Sequence, residues 1–93
     1  MKIEYDAGKR QWTLETRGLD FESMADVLQD FYLQRTDDRR DYGEVRYIVL
    51  GALNGRPITA VWTPRGDAIR VISMRMADDE ERKIYWRERD RSE

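Results

Sequence analysis

The chain has no cysteine and no histidine in 93 residues. Without cysteine there is no disulfide framework and no thiolate metal site. Without histidine the chain loses both the commonest general base near neutral pH and the commonest metal ligand. No apolar run reaches the length of a bilayer span, and the N-terminus does not read as a signal peptide. These absences predict a cytoplasmic protein with no cofactor, no membrane partner and no metal. Asp37, Asp38 and Asp41 are the nearest thing to a cation loop, but their spacing matches no calcium or magnesium motif.

What is present is charge. Charged residues make up 39% of the chain and hydrophobic residues 40%, enough for one small globular domain spanning residues 1–93 with a thin core. The net charge is −2, but it is unevenly spread. Residues 1 to 38 carry −4, residues 39 to 75 carry +4 and residues 76 to 93 carry −2. A basic middle between acidic ends is compatible with an anionic ligand. Fourteen of the seventeen basic residues are arginine, whose fork geometry suits phosphate and carboxylate. An arginine-rich codon bias would produce the same skew.

The pattern predicts an α+β fold. Lys2–Tyr5 reads as a short strand. Asp6 caps a helix from Ala7 to Arg17, which Gly18 ends. A second helix restarts at Leu19–Asp20, with Phe21, Met24, Ala25, Leu28 and Phe31 as its apolar stripe. Tyr32–Thr36 is a candidate edge strand, and residues 37–43 form a charged loop. Val45–Leu53 and Arg56–Thr63 make a hairpin across Asn54-Gly55. Pro64–Asp67 is a second turn, and Ala68–Met76 is the third strand of an antiparallel meander. Asp78 with Glu81 is a capping box opening a last helix, Asp79 to about Asp90. Its only large apolar residues are Ile84, Tyr85 and Trp86, so it must dock on the sheet or on a partner. There is no repeat and no linker.

Arginine is costly on a core strand unless it is used, so Ile69–Arg75 is the most telling stretch. If the second turn pairs Thr63 with Ala68, then Arg70 faces Val61. Alternation then puts Val45, Tyr47, Val49, Leu53, Ile58, Ala60, Trp62, Ile69 and Val71 on a core face. The other face receives Arg46, Ile48, Leu50, Thr59, Val61, Thr63, Arg70, Ile72 and Met74. Arg46 and Arg70 then lie two strands apart, roughly 10 Å, a span that grips one phosphodiester segment. The same register opposes Arg56 to Arg75 on the core face, which calls for a frayed end or a bulge.

Several blocks together resemble the BrnT family of type II toxin–antitoxin ribonucleases. They are Lys2-Ile3-Glu4-Tyr5-Asp6 with Lys9, then Gly18-Leu19-Asp20-Phe21, then Glu44 and Arg46 with Gly51. The most specific is Arg65-Gly66 followed by Arg70-Val71-Ile72-Ser73-Met74-Arg75, Ala77, Glu81, Arg82 and Tyr85. The resemblance covers nearly the whole chain. It implies a RelE-like fold, with a small antiparallel sheet packed by two N-terminal helices and one C-terminal helix. It also implies metal-free RNA cleavage that inhibits translation. A small BrnA-like antitoxin would neutralise the toxin and contact operator DNA on its behalf, and a homodimer stays open. The family commonly has Asn, Lys and His where this chain has Thr13, Thr16 and Arg17, and an arginine can replace charge but not serve as a base.

RNA cleavage without a metal needs a base for the 2′-hydroxyl, cations for the phosphorane and a proton for the 5′-oxygen. The catalytic candidates are Arg46, Arg70, Lys9, Tyr85 and Glu44, with Glu81 as a further proton carrier. Arg17, Arg65, Arg75 and Thr63 are candidate RNA contacts. Two other readings fit the same residues: a non-catalytic relative that binds an antitoxin or another protein, and an RNA-binding module without chemistry.

Overall fold

Local signals set most of the elements in the computed structural model, which describes all 93 residues. Strand β1 is Lys2–Glu4, helix α1 is Ala7–Arg17 and helix α2 is Met24–Val27, entered through a 3₁₀ turn at Phe21–Ser23. Strands β2 (Leu33–Thr36), β3 (Tyr47–Leu53), β4 (Arg56–Arg65) and β5 (Ala68–Met76) follow, and helix α3 (Asp79–Ser92) closes the chain. The Asp6 carboxylate accepts the Lys9 N–H at 2.9 Å to start α1. Gly18, at φ 70°, ends α1 and donates its N–H to the Leu14 carbonyl. At α3 the Asp78 and Glu81 side chains cap each other's backbone N–H groups, as the sequence predicts.

The second helix is shorter than its stripe suggests. Asp20 caps the 3₁₀ turn, α2 has a single turn, and the Asp30 carboxylate takes the Phe31 N–H. The fully buried positions are Phe21, Met24 and Val27, spaced by three, a 3₁₀-like repeat rather than the expected helical one. Where α2 ends it presses on β3. A Cβ on Gly51 would lie 2.7 Å from Val27 Cγ1, so only glycine fits there without movement.

The sheet has five strands in the order β1-β5-β4-β3-β2. Strands β3, β4 and β5 form the expected antiparallel meander, but the sheet as a whole is mixed, because β1 pairs with β5 in parallel, setting Glu4 beside Arg70. The β3–β4 hairpin pairs Leu53 with Arg56 and Tyr47 with Trp62, as expected, with Asn54 and Gly55 both at positive φ. The second hairpin is tighter than expected. Gly66, at φ 61°, and Asp67 turn the chain alone, and Arg65 pairs with Ala68. Pro64 therefore lies in β4, opposite Ile69, and Arg70 faces Thr63 instead of Val61.

A bulge then corrects the rest of β5. Trp62 pairs with Val71 but Val61 pairs with Ser73, leaving Ile72 as the extra residue. Past it the strand inverts its faces. Met74, expected on the open face, is fully buried in the core, and Arg75 faces Thr59 instead of opposing Arg56. The core is a single cluster: Leu19, Phe21, Met24 and Val27 close over Val49, Ile58, Ala60, Val71 and Met74. On the other face α3 covers only the part nearest Asn54-Gly55, where Ile84 and Glu81 sit over Ile48, Leu50 and Thr59. No helix is long and apolar enough to cross a membrane.

Candidate functional site

The uncovered part of that face carries the candidate site. Thr63 pairs with Arg70, Arg70 with Glu4, and Arg46 follows one position beyond the Tyr47–Trp62 pair. Opposed residues share a face, so Glu4, Arg70 and Thr63 form one row across β1, β5 and β4, extended by Arg46 where the chain enters β3. Arg46 and Arg70 flank Thr63 at roughly 10 Å from each other. Thr63 is buried and donates its hydroxyl to the Val45 carbonyl at 2.6 Å. It acts as the spacer between the arginines and holds the start of β3 in line.

Each arginine in the row has a carboxylate beside it. Glu44 accepts from Arg46 Nε at 3.0 Å and lies 3.7 Å from Arg65. Glu4 is 3.7 Å from Arg70. The pairs are part-exposed, and at 3.7 Å two of them are loose, so a phosphate can compete for their arginines. Arg46 is further held by Tyr42, over whose ring its guanidinium lies at 4.1 Å, with that of Arg40 at 5.1 Å. The loop bearing Tyr42 is anchored at Asp37. Its side chain is fully buried, it accepts both Arg39 Nε and Nη2 at 2.8 Å, and its N–H bonds the Arg46 carbonyl at 2.7 Å. The Arg39 hydrogen bonds hold the Asp37 carboxyl well below the usual carboxylate range.

The structure therefore brings Arg46, Arg70, Glu44, Arg65 and Thr63 together, and leaves the other candidates elsewhere. Arg75 is bound by Glu81 at 2.8 and 3.0 Å under the start of α3. That pair pulls Glu81 down to about 2 and raises Arg75. Tyr85 is buried at the far end, edge-on to Phe31 and Trp86, in the wall of a cleft shared with Leu53 and Asn54. Burial pushes its phenol up. From Thr63 to that end of β4 is ~23 Å. Lys9 and Arg17 lie along α1 at the β5 edge, where Arg17 donates to the Met74 carbonyl at 2.9 Å.

Three contributors escape a reading of the sequence. Glu4 joins the row only through the parallel pairing of β1, and Asp37 is a buried anchor hidden in a run of acids. Trp12 stands between Lys9 and Arg17 on α1, an aromatic flanked by cations, and that spacing was the available signal. No three carboxylates come together in a way that could hold a metal ion.

A model of the family described as "Ribonuclease toxin, BrnT, of type II toxin-antitoxin system" matches residues 5–81. That span takes in every strand except β1 and stops at the first turn of α3. No curated protein matches the chain.

Proposed function

Because the chain belongs to the BrnT family of ribonuclease toxins of type II toxin–antitoxin systems, we propose that it cleaves RNA on the open sheet face, without a metal, and so inhibits translation. The observation that carries this reading is the row of Arg46, Thr63 and Arg70 with Glu44 at its side. Two guanidinium groups at that spacing can hold the scissile phosphate through fork-like bonds. Glu44 takes the 2′-hydroxyl proton. The 2′-oxygen attacks phosphorus, and charge on the phosphorane oxygens is met by Arg46 and Arg70. The P–O5′ bond breaks, and the leaving oxygen takes its proton from solvent, which reaches the open face. Arg65 serves as a further phosphate contact, and Tyr85 takes no part in the step.

Membership in a type II system brings a cognate antitoxin. The proposed antitoxin is small, covers the arginine row and carries the operator-DNA contacts of the complex. The fold is proposed to be RelE-like. Support for metal independence is chemical: the site offers cations and two carboxylates, Glu44 and Glu4, each beside an arginine, with no ligand cage around them. Purified protein incubated with RNA in EDTA tests the reading. Cleavage at an undiminished rate is expected; cleavage lost in EDTA and restored by magnesium contradicts it.

A further inference from the structure

The face of α1 beside the β5 edge forms an open groove of about 430 Å³, walled by Lys9, Trp12, Thr13, Arg17, Ile72 and Ser73. An exposed indole and two cations meet in it. Trp12 is 53% exposed and is held against the Arg17 guanidinium, 5.0 Å from the ring centre. Arg17 is itself fixed by its bond to the Met74 carbonyl. That carbonyl belongs to the part of β5 that β1 does not reach, since the parallel pairing stops at Arg70. Neither Lys9 nor Arg17 pairs with a carboxylate, although most arginines of this chain do. Asp6, the only acid in the wall, is committed to capping α1 through the Lys9 N–H. An exposed indole beside two unpaired cations suits a nucleic-acid strand: the ring offers a stacking plane and the cations meet phosphates.

The groove lies a short way along β5 from the arginine row. Ser73 is three residues along β5 from Arg70, ~10 Å. The bulge at Ile72 leaves Ile72 and Ser73 both outside the core, so the stretch between row and groove is uncharged. Resting on the ribonuclease reading for the position of the scissile phosphate, we propose that this groove holds the RNA flanking the cleaved bond. A flanking base stacks on the indole face that Arg17 leaves free, and Lys9 and Arg17 take the adjoining phosphates.

Fluorescence anisotropy with non-cleavable 2′-O-methyl RNA tests this apart from catalysis. Against a single strand long enough to reach the groove, Trp12→Ala is expected to bind roughly tenfold more weakly, the range of one lost base stack. Trp12→Phe is expected to recover most of that. The Trp12→Ala loss stays constant as salt rises, because stacking is not an ionic contact. Lys9→Ala instead lowers the salt slope by about 0.7, one phosphate on a single strand. Both variants sit on an exposed helix face, and circular dichroism checks their fold.

Wild-type affinity in Trp12→Ala, or equal weakness in Trp12→Ala and Trp12→Phe, overturns the proposal. So does a Trp12→Ala protein that binds RNA normally but its cognate antitoxin poorly, which assigns the groove to the protein partner. If the wild-type protein cleaves RNA while Trp12→Ala binds it normally, the groove assignment alone fails. If the wild-type protein neither binds nor cleaves, the ribonuclease reading fails with it.

Discussion

The two faces of one sheet follow opposite rules. On the packed face Val49, Ile58, Ala60, Val71 and Met74 are at most 1% exposed beneath Phe21, Met24 and Val27. On the other face Arg46 and Arg70 keep about a quarter to a third of their side chains in water, each beside a carboxylate. Strand alternation lets a thin domain do both with the same backbone. The packed side and the patch under α3 carry stability, which leaves the remaining strip free to hold charge that contributes little to it. Substitutions on the two faces should therefore separate stability from activity.

The largest effect on folding is expected at the centre of the packed face. Phe21→Ala removes a fully buried ring and should cost about 3–5 kcal/mol, enough to consume most of the stability of a chain this size. Urea unfolding measures it, and a loss under about 1 kcal/mol would break the contrast between the faces. Gly51→Ala comes next, at about 1–3 kcal/mol, because the added methyl meets Val27 at 2.7 Å and Tyr32 Cβ at 3.3 Å. Thermal unfolding of this variant shows whether α2 can lift off β3, which an unchanged Tm would mean.

The smallest effect lies where α3 docks. Arg75 holds Glu81 at about 2 against its ordinary 4.5, so the folded protein binds that proton less readily than the unfolded chain. The stability this pair contributes is complete above about pH 4.5 and is lost as pH falls toward 2. Arg75 is nearly half exposed, so screening limits the contribution to about 0.5–1 kcal/mol. Glu81→Gln should lie below the wild type by that amount at neutral pH and converge with it near pH 2, by thermal unfolding across that range. A constant gap at all pH values would mean that the ion pair is not its source.

How far the sequence exposes these faces depends on the range of the signal. Caps and turns are local chemistry, so Asp6, Gly18, Asn54-Gly55 and the Asp78–Glu81 box locate their elements directly. The partner of β1 is set by packing more than sixty residues away and leaves no local trace. Pro64 reads as a turn residue although it is in β4, which moves the expected pairing of Arg70 by two positions. A shift of two preserves the face, so Arg70 lands beside Arg46 under either register. Met74 lies past the one-residue bulge, and a shift of one inverts the face, which is why it is found in the core. Tyr85 carries no sequence mark of its burial; that appears only in the fold, where it is the buried residue of α3, edge-on to Phe31.

The separation of the two faces is tested most directly by Arg70→Ala, assayed for RNA cleavage in EDTA and for unfolding free energy in the same preparation. Cleavage should fall at least a hundredfold, the scale of one lost donor to a developing oxyanion. Stability should stay within about 0.5 kcal/mol of the wild type, as for a part-exposed side chain with one loose ion pair. Full cleavage by Arg70→Ala, or a loss of activity that tracks a loss of fold, would contradict an active face distinct from the structural one.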